Sequence, residues 1–390
     1  MRNSVLQLDP KDNVLIALID LPEGQAVNFN GQRCVLTTAV PAKHKFALRE
    51  FAPGDPIFMY GALVGKAVTE IRQGEVITTR NIRHEVASFG EDREPHQWLP
   101  PNVSKWRQRT FLGYHRPDGQ VGTRNYWLVI PLVFCENRNL AVLKQAFEEE
   151  LGFAAPQIYR RQVAELARLY REGRTTDLER HTFADQPSHA ALPKLFANVD
   201  GIKFLSHEGG CGGTREDSRN LCGLLSGYLH HPNVAGATVL SLGCQNAQVT
   251  ILQEELARRD SKFDKPLFIF EQQQSASESA MISQAIRETF MGLIEANKAT
   301  RQPASISHLC VGLKCGGSDG FSGISANPAI GHTADLISAL GGTGILAEFP
   351  ELCGVEQELI NRCEKKEGTP CFTDSFTLRS VASLSSSQKD

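Results

Sequence analysis

The chain has 390 residues, 41% of them hydrophobic and 22% charged, with a net charge of −3 at pH 7. This balance describes a globular chain with material for two or three cores, and it gives no electrostatic reason to expect nucleic acid or an anionic membrane as a partner. No apolar run approaches the roughly 18 residues of a membrane span, and the opening "MRNSVLQLDPKDNV" lacks the apolar core of a signal peptide, so a cytoplasmic enzyme or binding protein is expected.

Residues 1–83 are expected to form a small β domain. "NVLIALID", "QRCVLTTAV", "KFALREF", "PIFMYGALVGKAVTEI" and "EVITTRNI" are short runs rich in strand formers. The turn signals "PEG", "NGQ", "APGD" and "RQGE" separate them. Residues 84–110 are polar, hold three prolines and lack periodicity, which reads as a linker.

From residue 111 to 366 the pattern becomes strand, glycine loop, helix. "YWLVIPLVF" (126–134) reads as a buried strand and "NLAVLKQAFEEEL" (139–151) as an amphipathic helix. "GIKFLSHEGGCGG", "GATVLSLGCQN" and "HLCVGLKCGGSDG" each read as a strand entering a glycine loop. Helical spacing follows in "REDSRNLCGLLSGYL", in "AQVTILQEELARR", near 276–298 and in "NPAIGHTADLISALGG". The alternation predicts an α/β fold with a mostly parallel sheet, preceded by the small β domain. Loops 209–213, 243–246, 315–320 and 353–354 would then gather at the carboxyl edge of the strands, where such sheets bind ligands. The tail, 367–390, is serine-rich and carries no periodic element.

Ten cysteines are spread along the chain without a CxxC pair, which excludes zinc-ribbon spacing. Most are expected to be small buried hydrophobes; those flanked by glycine are the exceptions. In "SHEGGCGGTREDS" (206–218) His207 and Glu208 have acid/base chemistry, Cys211 is a soft metal donor and Arg215 offers a planar fork for a carboxylate. The same residues equally suit a tight turn leading into a helix N-terminus, with Glu216 and Asp217 serving its dipole. In "SLGCQNAQ" Cys244 is followed by the amides Gln245 and Asn246, the neutral partners a polyhydroxylated ligand needs. "LKCGGSDGFSGISANP" (313–328) places Lys314, Cys315, Ser318 and Asp319 around four glycines and matches neither common nucleotide-loop pattern. Arg124 and Asn125 in "GQVGTRNYW" could hold a carboxylate or merely sit on a hairpin. His44 in "PAKHKFAL" is an isolated histidine, a type more often structural than ligating.

The motifs "GTRN", "HEGGCGGTREDS", "HPNVAGATVLSLGCQNAQ", "LKCGGSDGFSGISANP" and "EFPELCGVEQ" resemble the altronate/galactarate dehydratase family, with the altronate branch the nearer likeness. The segment "PAKHKFALREFAPGDPIFMYGALVGKAVTEIRQGE" resembles that family's SAF-type β-clip domain. The resemblance spans about residues 12–362. It implies a hydro-lyase of hexuronate catabolism that takes D-altronate to 2-dehydro-3-deoxy-D-gluconate by C2 proton abstraction and metal-assisted loss of the C3 hydroxyl. The implied metal is iron(II), with manganese(II) as a substitute and an iron–sulfur cluster ranked below both. On this resemblance His207, Lys314 and Asp319 are the acid/base candidates. Arg124, Asn125, Arg215, Gln245, Asn246 and Ser318 bind substrate, and Cys211, Cys244, Cys315 and His44 bind the metal. Galactarate dehydratase, sulfolactate lyase and a non-catalytic sugar-acid binder are the competing readings. The expected partner is the small sugar acid, with neither nucleic acid nor membrane, and a homo-oligomer is allowed for.

Two departures from the family pattern stand out. Where relatives carry His-x-His, this chain has Thr78 and Arg80. Relatives also continue beyond the equivalent of Cys363, whereas this sequence runs into "EGTPCFTDSFTLRSVASLSSSQKD". The expectation is a C-terminally truncated, incomplete α/β domain with weak or no activity by itself.

Overall fold

The computed structural model describes residues 4–90, 94, 96–155, 157–183, 193–314, 316–317, 320–348 and 352–363. Two compact units divide the chain, one from 1–107 with 309–390 and the other from 108–308.

The first unit begins with eight short strands: β1 (Val5–Leu6), β2 (Val14–Ala17), β3 (Ala26–Phe29), β4 (Gln32–Val35), β5 (Lys45–Ala47), β6 (Pro56–Met59), β7 (Ala62–Ala67) and β8 (Ile82–His84). They pair antiparallel as β1-β2-β5, β3-β4 and β6-β7-β8. Phe29 pairs with Gln32 and Met59 with Ala62, so both hairpins close through two residues. These are Asn30–Gly31 (φ 48° and 78°) and Tyr60–Gly61 (φ 61° and 75°), the doubly left-handed turn that suits strand twist. The second turn splits what reads in sequence as one long strand. Tyr60 is an unexpected residue there, and the turn is held by Gly61 N–H donating to the buried Asp12 carboxylate at 2.8 Å. Leu15, Leu21, Leu36, Val40 and Phe46 fill one small core, and Val14, Phe51, Ile57 and Ile71 another.

The second unit opens with an antiparallel hairpin, β9 (Thr110–His115) and β10 (Val121–Gly122). β11 (Tyr126–Pro131), α1 (Asn137–Glu150), α2 (Ile158–Arg171), β12 (Gly201–Phe204), α3 (Arg215–His230), β13 (Val234–Ser241), α4 (Val249–Arg259), β14 (Leu267–Glu271), α5 (Glu278–Ala296) and β15 (Gln302–Ser305) follow. Strands 11 to 14 form a parallel sheet in the order β12-β11-β13-β14, and β15 pairs with β9. Alternating β11 side chains divide between two cores. Trp127 and Val129 pack with α1 and α5, while Leu128 and Ile130 pack with α3 and α4. This double cover explains why β11 reads as an unbroken apolar run. A capping box, Thr214 with Asp217, starts α3, and the Ser277 hydroxyl caps α5.

The chain then returns to the first unit with β16 (Cys310–Leu313), α6 (Asn327–Ala339), β17 (Thr343–Leu346) and α7 (Glu356–Arg362). β16 and β17 pair in parallel, Cys310 opposite Thr343. They are a separate two-stranded sheet and do not extend the four-stranded one, so the four glycine loops do not share a single sheet edge. The fold is the mixed α/β class with a leading β domain that the sequence pattern predicts.

Candidate functional site

In the four-stranded sheet all strands run the same way, so the segments that follow β11, β12 and β13 emerge at one edge. The segment after β12 crosses the end of β11 to reach the segment after β13. Phe134 N–H donates to Gly209 O at 3.0 Å, Ala247 N–H to Gly210 O at 3.0 Å, and Asn246 Nδ2 to Cys211 O at 2.6 Å. Gly210 has φ 102°, and a Cβ there would overlap the Leu132 carbonyl oxygen, with Val133 Cα 2.7 Å away. Only a residue without a side chain lets this arch rest on the end of β11. Cys211 and Cys244 both lie exposed on the stitched loops.

His207 braces the arch. Its Nδ1 accepts Gly209 N–H at 3.2 Å, so Nε2 carries the proton and donates to Pro131 O at 2.7 Å. Neither ring nitrogen is left for proton transfer in this arrangement, which argues against the acid/base role read from sequence. Gln245 is also committed. It is buried, accepts Gly243 N–H at 2.6 Å and donates to Ser241 Oγ at 2.7 Å. Gln248 Nε2 donates to Gln245 O. Asn246 is the stitch just described. Arg215 opens α3 with an exposed side chain, at the helix end that favours anions.

Arg124 and Asn125 do not join these residues. They precede β11 and therefore lie at the opposite edge of the sheet, about 20 Å away for a six-residue strand. Asn125 is fully buried there. Its Nδ2 donates to Asn198 O and Ala296 O, both at 2.9 Å, and its Oδ1 accepts from Arg116 at 3.0 Å. It is a structural tie, closed off from solvent and with both amide hydrogens spent on main-chain carbonyls. Arg124 is exposed, with Nη1 3.3 Å from Thr123 O. Among the described residues the one group of three His, Cys, Asp or Glu side chains with ligand atoms within 4.8 Å of one another is Asp118, His230 and Asp260. Gln120 Nε2 already bridges it, 2.8 Å from Asp118 and 3.1 Å from His230.

Glycine flanking does not mark Cys135, which lies just past β11 and is exposed. Its neighbour Glu136 is 1% exposed. One carboxylate oxygen accepts from Asn139 at 2.8 Å, and the other has no hydrogen-bond partner. Burial pushes this carboxyl above its usual range. Asn137 Nδ2 donates to His207 O at 2.9 Å, while its Oδ1 is buried without a partner.

The first unit holds a second concavity, a cleft of about 650 Å³. Val14, Ile57 and Ile77 line it together with Lys43, His44 and Thr78. His44 Nδ1 is 3.3 Å from Ala42 O, and the Lys43 ammonium stands 4.4 Å over the Phe321 ring. Burial pushes the neighbouring Lys45 ammonium below its ordinary value. Lys314 Nζ pairs with Glu348 at 3.1 Å. Cys315, Ser318 and Asp319 lie outside the described residues.

Comparison with known proteins accounts for most of this chain. The altronate/galactarate dehydratase SAF domain matches residues 3–85. The second domain of D-galactarate dehydratase/altronate hydrolase matches 113–297, and the D-galactarate/altronate dehydratase C-terminal domain matches 306–382. The chain belongs to the altronate/galactarate dehydratase family. Altronate dehydratase of Escherichia coli is 31% identical over 92% of this chain, and that of Bacillus subtilis 29% over 93%. Galactarate dehydratase (L-threo-forming) of E. coli is 26% identical over 80%. The chain spans 62–63% of the length of the two altronate dehydratases. The SAF match covers the cleft residues His44 and Thr78, and the second-domain match covers the thiol-bearing arch. No helix among the described residues is long and apolar enough to cross a membrane.

Proposed function

We propose that this chain carries out sugar-acid dehydration, converting D-altronate to 2-dehydro-3-deoxy-D-gluconate in the hexuronate catabolism of the cytoplasm. The observation that carries the reading is the arch. In a chain related to altronate dehydratases, exposed Cys211 and Cys244 stand at the carboxyl edge of the parallel sheet, beside the N-terminus of α3. Sheets of this kind place their ligands at that edge.

The donor chemistry there suits iron(II). Cys211 and Cys244 are soft ligands on adjoining loops. When bound, the metal would act as a Lewis acid on the hydroxy acid. The protein residues do the rest. Arg215 and the first turn of α3 attract the substrate carboxylate, where charge accumulates as the C2 proton leaves. Glu208 is exposed on the arch and is the carboxylate placed to take that proton. His207 holds the arch in place through Pro131. Lys314 remains an acid/base candidate of the first unit.

The test is anaerobic incubation of the purified chain with iron(II) and, separately, altronate, galactarate and sulfolactate, reading 2-keto acid and sulfite. Keto acid from altronate ahead of the others supports the proposal. Keto acid from galactarate or sulfite from sulfolactate reassigns the substrate, and neither turnover nor binding of any of the three overturns the sugar-acid reading. The locked ring of His207 favours one alternative, a protein that binds the sugar acid without turning it over. Calorimetric binding of altronate without product would select it.

A further inference from the structure

We infer that Cys135 completes a three-thiolate iron site with Cys211 and Cys244 at the carboxyl edge of the parallel sheet. The inference rests on the dehydratase reading only for the choice of iron as the metal. The geometry stands by itself. β11 lies between β12 and β13, so the segments that carry the three cysteines leave three neighbouring strands. All three thiols are exposed, unlike Cys34 and Cys222, which are buried in the cores.

The stitching brings the carriers together. Phe134, the residue before Cys135, is hydrogen-bonded to Gly209, two residues before Cys211. Cys211 in turn accepts the Asn246 amide through its carbonyl, two residues after Cys244. The middle loop therefore touches both of its neighbours, and a cysteine sits within two residues of each contact. The buried Glu136 carboxylate oxygen and Asn137 Oδ1, both without partners, lie on the same segment as Cys135. Unsatisfied buried acceptors are costly and mark a place where an acceptor-seeking group is missing.

Three thiolates are a donor set for soft metals, and for iron they serve either a single ion or a cluster with one iron left open. The three sulfurs are not gathered within 4.8 Å of one another. Zinc- or iron-sized single ions draw thiolates closer than that, with metal–sulfur bonds near 2.3 Å, whereas a cluster holds its cysteines further apart. The metal is bound as thiolate, so each cysteine that ligates releases its proton on binding.

The experiment uses the full chain, reconstituted anaerobically with iron(II), with and without sulfide, then desalted. Retained iron and acid-labile sulfide are measured, together with alkylation of each cysteine by mass spectrometry. Iron retention with protection of Cys135, Cys211 and Cys244 is expected, and Cys135→Ser should lose at least tenfold of the retained iron while keeping its far-UV circular dichroism. Cys310→Ser, an exposed cysteine of the other unit, should retain iron as the wild type does. Sulfide retained with visible absorption would identify the cluster that the sulfur spacing leaves room for and supports the site, whereas iron retained without sulfide, which that spacing does not fit, would overturn it. Wild-type iron retention by Cys135→Ser, or equal alkylation of Cys135 with and without iron, would overturn it. Loss of iron on Cys315→Ser but not on Cys135→Ser would assign the third thiol elsewhere and also overturn it. Because the readout is metal and thiol protection, a failed dehydration assay would not decide this question, nor would failed iron binding decide the substrate.

Discussion

Replacing Gly210 with alanine tests whether the arch is as tightly seated as described. The residue has φ 102°, a region that costs an L-residue roughly 1–3 kcal/mol. The new methyl would also overlap the Leu132 carbonyl oxygen and approach Val133 Cα to 2.7 Å. Both neighbours are main chain of a buried strand end, so they cannot swing aside. The arch must lift, which breaks Ala247 N–H to Gly210 O and strains Phe134 N–H to Gly209 O. Two such bonds contribute about 1 kcal/mol each. Alanine returns about 0.4–1 kcal/mol by restricting the unfolded chain. The balance is a loss of about 2–4 kcal/mol. Gly212→Ala is the control, because a Cβ there meets nothing within 4 Å. Guanidinium unfolding followed by far-UV circular dichroism measures the difference between the two variants, with Cys211 alkylation read in parallel. A Gly210→Ala protein within about 0.5 kcal/mol of Gly212→Ala would refute the seated arch.

Three further outcomes are expected. Asn125→Ala should destabilise the second unit by about 3 kcal/mol, since it strands two carbonyls and the Arg116 contact; denaturant unfolding checks this, and unchanged stability would mean the ties are dispensable. In native labelling at pH 8, Cys135, Cys211 and Cys244 should react readily. Cys222 should not, because burial pushes its thiol up to about 11 and hides it in the core; equal rates would contradict the burial. Glu136 has a raised carboxyl pKa in the folded state, so its contribution to stability is fully present below the ordinary value of 4.5 and is lost as pH rises through the raised value. Glu136→Gln should flatten that part of the stability–pH curve measured by thermal unfolding, and an unchanged curve would show that Glu136 is not its source.

Much of the α/β unit was legible because each parallel strand is an apolar run that ends at glycine. β11, β13 and α3 to α5 lie where period and punctuation place them. Residues 152–200 lack that punctuation, and α2 within them went unread. The turn at Tyr60–Gly61 escaped because tyrosine carries no signal for a left-handed conformation. At the candidate site, residue type was legible but commitment was not. His207, Gln245 and Asn125 have the side chains that binding and catalysis use, and in the fold those groups are spent on main-chain partners. The placement of Arg124 was legible in principle, since a residue before a parallel strand belongs to the edge opposite the loops that follow. Cys135, exposed a few residues past β11, went unmarked because the sequence reading singled out only glycine-flanked thiols.

Apart from the His207 ring, the contacts that seat the arch use its main-chain atoms: the carbonyls of Gly209, Gly210 and Cys211 are the acceptors. The side chains of Glu208 and Arg215, both exposed, are therefore free of structural duty. Evolution can exchange them without loosening the scaffold beneath. A loop anchored by its backbone is a frame in which ligand preference can be rewritten one residue at a time, and that freedom suits a family whose members act on different hydroxy acids.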